Sequence, residues 1–261
     1  MNDPMRIAFT ACPLCESTAF THETTGDCSR HVLYKRELSP LIKWNRCTSC
    51  GHVFTEGYFT PEASALIFRE TKIDQRAGHD IERQRHVGAE MVENVLPFVK
   101  GGTWLDVGFG SGALLFAAQE YGFTPVGTDL RADNVAALKK FGIEAHACDL
   151  EGLTLDRPCH VISLADVLEH MPFPKTGLKA AHRLLADDGV VLISMPNSET
   201  ALWRVFNESG TNPYWGELEH FHNFGRSRLY DLLREMGFEP LKYGVSKRYR
   251  ACMEVIARKA R

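Results

Sequence analysis

The apolar positions of this chain change period twice. Up to residue 57 they fall in short, broken runs, such as residues 31–38 (HVLYKREL) and 41–47 (LIKWNRC), which read as strand-rich hairpin material. From Tyr58 to Lys100 the pattern turns helical. Thr60-Pro61 supplies an N-cap followed by proline at the first helical position. Val87, Met91, Val95 and Val99 then recur every fourth residue, predicting one buried face on a helix over residues 82–99 that Gly101-Gly102 closes. From residue 103 strands and helices alternate. Strands are predicted at 103–107, 125–130, 144–148, 160–165 and 190–195, with helices between them, among others at 113–121 and 227–236. Repeated strand-helix units predict a parallel sheet covered by helices on both faces. The chain divides on this pattern into 1–57, a connector or lid at 58–100 that packs over its neighbour, and an α/β domain at 101–261.

Composition narrows the class without naming it. The chain has 261 residues, 44% apolar and 24% charged, which excludes a disordered, collagen-like or fibrous protein. No apolar run approaches the roughly 18 residues of a membrane-spanning helix. The first 15 residues, MNDPMRIAFTACPLC, lack a basic stretch followed by an apolar core, so no secretory signal and a cytoplasmic location are expected. Net charge is −3, and residues 1–100 hold 12 Lys+Arg against 13 Asp+Glu, which gives no electrostatic reason for a nucleic-acid partner. Residues 242–261 carry seven basic groups and one acid, so a local basic patch stays open.

Five of the eight cysteines lie in the first 50 residues. Cys12-Pro-Leu-Cys15 and Cys47-Thr-Ser-Cys50-Gly51 are two C-x-x-C pairs, each able to fold into a knuckle offering two thiolates to one tetrahedral Zn²⁺. Gly51 suits the sharp turn after the second knuckle. A closed four-thiolate site stabilises a small domain and does no chemistry, so structural zinc at Cys12, Cys15, Cys47 and Cys50 is expected, with a redox pair or disulfides as the alternative. Cys28 has no partner at knuckle spacing, and His31 and His52 are candidate substitute ligands or solvated groups. Cys148, Cys159 and Cys252 sit in apolar runs and read as small buried hydrophobes.

The chemistry of the second half starts at Gly108-Phe109-Gly110-Ser111-Gly112, between a predicted strand and a predicted helix. Glycines there let backbone approach a ligand, and the helix start offers free N–H groups. Asp129 follows Gly108 by 21 residues at the end of the next strand, a place suited to accepting both ribose hydroxyls. An adenosine-containing cofactor follows. The loose dinucleotide fingerprint is also met, but three features argue against nicotinamide. Asp106 sits two residues before the first glycine, where an amino-acid cofactor's ammonium would need a carboxylate. Gly112 falls where dinucleotide folds begin a close-packed helix. Tyr243 and Lys247 mimic a dehydrogenase pair but lie in a C-terminal strand.

These motifs resemble the class I S-adenosylmethionine-dependent methyltransferases, over roughly residues 100–261. The residues that carry the resemblance are Leu105-Asp106-Val107-Gly108-Phe109-Gly110-Ser111-Gly112, Val126-Gly-Thr-Asp129-Leu130, Ala147-Cys148-Asp149-Leu150, residues 163–172 (SLADVLEHMP) and residues 185–197 (LADDGVVLISMPN). The resemblance implies a doubly wound, mostly parallel seven-stranded sheet, Rossmann-like, whose last strand at 251–257 runs antiparallel after a hairpin, preceded here by the small zinc-binding domain. It implies donor contacts from Asp106, Gly108, Phe109, Gly110, Gly112, Asp129, Leu130, Asp149, Leu150, Ala165 and Asp166. His170, at the cofactor edge of the fourth strand, and His220, before the last helix, are the candidate bases, with His222 a surface or supporting group. Asp166, Glu169 and His170 also resemble the Glu-x-x-Glu-His metal site of ubiquinone-pathway O-methyltransferases, with Asp in place of the first Glu, which would imply Mg²⁺. Trp203, Phe206, Tyr214 and Trp215 could wall an acceptor pocket or form an apolar lid.

The expected function is methyl transfer to a hydroxyl of a small biosynthetic intermediate, such as a sugar or nucleotide-sugar. An rRNA or tRNA base methyltransferase with a zinc knuckle, and a catalytically silent donor-binding module, are the alternatives. The pattern is silent on the acceptor's identity, the oligomeric state and the role of Cys28.

Overall fold

The alternation of apolar runs and amphipathic segments beyond residue 101 builds one seven-stranded sheet, seen in a computed structural model that describes residues 4–68, 71–249 and 251–260. Arg250 and Arg261 of the basic C-terminal stretch lie outside the described residues. In chain order the elements are β1 (Arg6–Ala8), β2 (Phe20–Asp27), β3 (Leu41–Cys47), β4 (Val53–Thr55), β5 (Gly57–Phe59), α1 (Pro61–Ile67) and α2 (Ile81–Val95). Then come β6 (Gly102–Val107), α3 (Ala113–Glu120), β7 (Phe123–Thr128), α4 (Ala132–Lys139), β8 (Glu144–His146), β9 (Cys159–Ala165) and α5 (Pro174–Leu184). The chain continues with β10 (Leu185–Pro196), α6 (Ala201–Glu208), β11 (His222–Asn223), α7 (Arg226–Glu235), β12 (Phe238–Val245) and β13 (Cys252–Lys259).

The large sheet has the order β12-β13-β10-β9-β6-β7-β8. Its five strands from β10 to β8 are parallel, and β13 runs antiparallel between β10 and β12, as the resemblance implied. The chain order reverses at β6, which pairs with β7 on one side and β9 on the other, so a crevice opens beyond their C-terminal ends. Apolar cores lie on both faces. One, with Trp104, Leu115 and Leu138, is covered by α2, α3 and α4. The other, with Leu164, Leu178 and Leu232, is covered by α5 and α7 and runs on into Cys12, Leu14, Cys47 and Phe54. The cysteine knuckles therefore share a core with the large sheet.

A second, four-stranded sheet has the order β11-β4-β3-β2. Its edge strand β11 comes from more than 160 residues downstream of β4, with His222 opposite Phe54 and Asn223 opposite Val53. Nothing in the periodicity announces a two-residue strand, because two residues are too short to show a pleat.

Other differences have local causes. Residues 31–38 are turns and not a strand, held by Tyr34 N–H to the His31 carbonyl and Leu38 N–H to the Lys35 carbonyl. Their buried leucines, Leu33 and Leu38, are five apart, which fits no strand period. Residues 41–47 do form a strand, and there Ile42 and Trp44 alternate inward. Helix α2 stops at Val95, before Pro97, whose ring cannot continue a helix. β7 ends at Thr128, which puts Asp129 one residue beyond it, facing the crevice end. Lys247 lies beyond β12 and pairs with Glu90 at 2.6 Å, while Tyr243 Oη accepts from Asn197 Nδ2 at 3.2 Å. Among the described residues no helix is long and apolar enough to cross a membrane.

Candidate active site

The glycine turn follows β6 directly, and its geometry demands glycine. Gly108, Gly110 and Gly112 have φ of 63°, 52° and 76°, the left-handed region that side-chained residues rarely adopt. A Cβ at Gly110 would meet nothing closer than 3.9 Å, so open space faces the turn there. Phe109 points the other way, into the core, where it packs 2.7 Å from where a Cβ on Gly127 would sit. Phe109 can thus reach a ligand only through its backbone.

Asp106 is the last but one residue of β6 and 4% exposed. Trp104 Nε1–H donates to Ser163 Oγ at 3.0 Å, and Ser163 Oγ–H donates to Asp106 Oδ1 at 2.5 Å across the β6–β9 pairing. Burial pushes the Asp106 carboxyl up to about 7, with the Ser163 hydroxyl and the distant Arg248 charge opposing that rise. A buried carboxyl poised near neutrality at a sheet's switch point suits an incoming ammonium group.

Asp129 stands on the neighbouring strand end. Its Oδ1 accepts from Arg131 N at 2.9 Å and its Oδ2 from Arg131 Nη2 at 2.7 Å, while Asn134 Nδ2 reaches Oδ2 at 3.4 Å. Arg131 also donates to Gln75 Oε1 at 2.6 Å, tying the connector to the site. Arg131 Nε adds a second bond to Oδ1 at 2.9 Å, so the roughly four acceptor directions of Asp129 are all taken, and two incoming hydroxyls would have to displace donors of Arg131 or Asn134. Asn134, whose Nδ2 donates to the Gly110 carbonyl at 2.9 Å, fixes the turn itself. Leu130, beside Asp129, is 68% exposed, an apolar face free for a purine. Asp149 accepts from Gly152 N at 2.7 Å with Oδ1. Leu150 is buried with Leu105 and Leu153, which leaves Leu130 as the exposed apolar residue on that edge.

At the end of β9, past Ala165, Asp166 has φ of 58°, strained for a side-chained residue and held there by N–H to the Ser194 carbonyl at 2.8 Å. Arg248 Nη2 stands 3.3 Å from its Oδ2. Next comes a 3₁₀ turn, Leu168–His170. His170 Nδ1–H donates to the Glu219 carbonyl at 3.0 Å, and Phe221 N–H donates to the Glu169 carbonyl at 2.9 Å. These two bonds bring His220 against His170, with ring centroids 4.7 Å apart at 85°. The two candidate bases, 50 residues apart in sequence, are neighbours. Burial, reinforced by the nearby His170, holds His220 well below the ordinary histidine range. Of the two, His170 is the partly exposed one and His220 is buried.

The metal set implied by resemblance does not assemble. Glu169, His170 and His220 offer ligand atoms within 4.8 Å of one another, whereas Asp166 is absent from that group and faces Arg248. One carboxylate and two imidazoles fit the oxygen-seeking Mg²⁺ poorly.

Of the four aromatics between β10 and α7, Phe206 and Tyr214 line a cleft of about 600 Å³ with Thr211, Pro213, Arg248 and Tyr249. Trp203, behind them, stacks on Tyr214 at 5.0 Å and meets Trp215 edge-on at 5.4 Å. Both readings of this segment therefore apply, to different residues. Arg248 joins the cleft to Asp166, and nothing in its local sequence singles it out.

The four knuckle thiols come together as expected. Cys12 Sγ lies 3.7 Å from Cys50 Sγ and Cys15 Sγ 3.5 Å from Cys47 Sγ. All four sulfurs are within 4.8 Å of one another and none is in a disulfide. Four thiolates at about 2.3 Å from one Zn²⁺ would be spaced about 3.8 Å apart, so the cluster fits that ion. Cys28 is buried apart from them, beside Ile42 and Trp44, its thiol pushed up to about 11 by burial. His31 pairs with Glu217 at 3.0 Å. His52 and His222 are buried together. His222 Nε2–H donates to the Met171 carbonyl at 2.9 Å, which leaves its Nδ1 to accept from His52 Nε2–H at 3.0 Å. His222 is thus the supporting group, linking the knuckle strand to the end of the 3₁₀ turn.

A profile of the family described as "Methyltransferase domain" matches residues 80–243. Among curated relatives, a ubiquinone biosynthesis O-methyltransferase of Pseudomonas paraeruginosa is 30% identical over 150 residues, covering 54% of this chain and 56% of that protein. Another of the same name, from Coxiella burnetii, is 29% identical over 182 residues, covering 59% of this chain and 77% of that one. The chain thus spans little more than half the length of the Pseudomonas relative. The fold matches a Burkholderia thailandensis 1,6-didemethyltoxoflavin-N1-methyltransferase, solved with that molecule and S-adenosylhomocysteine, with a TM-score of 0.56, 18% identity, and 83% and 99% of the two chains covered.

Proposed function

The chain belongs to the methyltransferase-domain family, and on that premise we propose that it is an S-adenosylmethionine-dependent O-methyltransferase acting on a small, hydroxyl-bearing ring compound. One observation carries the proposal. A left-handed glycine turn at the reversal point of a doubly wound sheet lies between a buried aspartate, Asp106, and a second aspartate, Asp129, on the adjoining strand end.

In this reading Asp106 receives the donor's ammonium, Gly108, Gly110 and Gly112 give its chain room, Asp129 takes the ribose hydroxyls, and Leu130 and Asp149 flank the adenine. Ala165 and Asp166 close the edge beside the reacting methyl. Methyl transfer from a sulfonium is an in-line displacement whose donor arrives activated, so the protein chiefly aligns the acceptor oxygen, a contribution of several kcal/mol. His170 removes the hydroxyl proton as charge develops on oxygen, and His220 braces its ring. Phe206 and Tyr214 offer apolar faces to the acceptor ring. We read residues 1–57 as a structural zinc segment held by Cys12, Cys15, Cys47 and Cys50, 58–100 as a connector, and 101–261 as the donor-binding domain.

The names of the relatives support O-methylation in ubiquinone biosynthesis for those proteins. For this chain a phenolic ring and the sugar or nucleotide-sugar anticipated from sequence are the two acceptor classes to compare. The test is incubation with donor labelled in its methyl group, a catechol, a nucleotide-sugar and a fractionated cell extract. Label is expected in the small-molecule fraction. Label in RNA would replace this reading with base methylation, and donor binding without transfer to any fraction would replace it with a silent module.

A further inference from the structure

Glu169 is the least expected side chain in the molecule. It is 1% exposed, and among the described residues neither carboxylate oxygen has a hydrogen-bond partner. An unpaired buried carboxylate is destabilising by several kcal/mol, so such groups are normally paired or bound to a cation. Among the described residues no guanidinium or ammonium is bonded to it: Arg248, whose charge only partly offsets the effect of burial on Glu169, stands 3.3 Å from Asp166 Oδ2.

What does face Glu169 is a pair of imidazoles. His220 is 8% exposed and its Nδ1 also has no partner among the described residues. His170 commits Nδ1–H to the Glu219 carbonyl, so its neutral ring presents a lone pair at Nε2. That pattern, one ring nitrogen donating to a backbone carbonyl and the other left free, is how metal-ligating histidines are commonly oriented. Ligand atoms of the three residues lie within 4.8 Å of one another. The segment carrying His220 is fixed on both sides, by Phe221 N–H to the Glu169 carbonyl at 2.9 Å and by Thr55 N–H to the Phe221 carbonyl at 3.0 Å.

We propose that Glu169, His170 and His220 form a second metal site, distinct from the cysteine cluster and selective for a borderline divalent transition ion such as Zn²⁺ over Mg²⁺. Two imidazoles and one carboxylate are the donor set of several transition-metal centres, while Mg²⁺ prefers oxygen ligands and retains water. The ligand set departs from the Asp166-Glu169-His170 pattern because Asp166 is turned to Arg248 and a histidine 50 residues downstream takes its place. Glu169 and His220 are buried and His170 is partly exposed, so a further ligand reaches the ion from the His170 side. The inference rests on the proposed function and revises one role in it: with Nδ1–H on the Glu219 carbonyl and Nε2 on the ion, His170 would be a ligand and not a free base, and the ion would lower the pKa of the acceptor hydroxyl.

The test counts ions and needs no turnover. The full chain is stripped of metal, dialysed against Zn²⁺ with millimolar Mg²⁺ present, and its bound ions are measured by atomic emission. The wild type is expected to hold two Zn²⁺ per chain and no Mg²⁺. Glu169→Gln and, independently, His220→Ala are each expected to hold one, with the cysteine-bound ion retained. One ion in the wild type, two in both variants, or Mg²⁺ at the second site would each overturn the proposal. Because binding alone is read, failure of methyl transfer with two ions bound would count against the proposed function and leave this inference standing.

Discussion

Replacing Cys47 with serine is expected to release the knuckle zinc, lower the melting temperature by at least about 10 °C and reduce methyl transfer to below about 1% of wild type. Cys47 is fully buried and packs in one core with Phe54 and the large sheet's own apolar residues. Structural zinc binding is worth roughly 10–16 kcal/mol in small zinc-dependent folds, comparable to the whole stability of an ordinary domain. Losing one of four thiolates removes much of that, and in a protein of this size each kcal/mol moves the melting temperature by about 2–4 °C. The loss of activity follows from the sheet order. β4 lies just beyond the second knuckle, pairs with β11, and β11 continues from His220. The bonds from His52 to His222 and from His222 to Met171 run along the same path. Calorimetric melting with a zinc count and a turnover assay checks this. Unchanged melting and activity in a zinc-free variant would show that the knuckles are dispensable.

His170→Ala is expected to lower kcat by about 10²–10⁴-fold while leaving the KM for the donor within about twofold. The group sits past the strand end that carries Asp166 and is partly exposed, whereas the proposed donor contacts Asp106 and Asp129 lie at the ends of β6 and β7. A purely structural role would give a different pattern. His170→Asn retains an N–H donor that can satisfy the Glu219 carbonyl, so it should keep the wild-type melting temperature and still lose the rate. Restored turnover in His170→Asn would reassign His170 to positioning the segment that carries His220.

The parallel sheet and the donor turn were legible because each is encoded locally. Glycines at 108, 110 and 112 and the apolar runs flanking them fall within one strand-turn-helix unit, and Asp129 directly follows the next strand. The cysteine knuckles were legible for the same reason, since spacing within each pair sets the local geometry. Arg131, Asn134, Arg248 and Ser163 were not. Each acts through a partner on another element, Ser163 on Asp106 and Arg248 on Asp166, and a lone serine or arginine carries no period or spacing. The same limit hid the exchange of Asp166 for His220 beside Glu169. That exchange depends on a left-handed residue at the end of β9 and on a two-residue strand that joins the other sheet. Residues 31–38 misled for an opposite reason. β-Branched, aromatic and leucine residues are present, but their inward positions follow the turns that cover Trp44 and Ile42 and not a pleat.

The central claim is that the turn after β6 receives a sulfonium nucleoside with Asp106 at its amino-acid end, and isothermal titration with S-adenosylhomocysteine across pH tests it most directly. Burial holds the Asp106 carboxyl at about 7, above its ordinary value of 3.8, so the folded protein binds this proton more tightly than the unfolded chain. The stability it contributes is therefore complete below that ordinary value and is lost as pH rises through about 7. Binding an ammonium reverses the preference, because it needs the carboxylate. Affinity should tighten from pH 6 toward pH 8, by up to about tenfold for each pH unit below 7, and level off above it. Asp106→Asn should bind weakly and without this pH dependence. Absence of binding heat at every pH, together with clear uptake of NAD, would contradict the account.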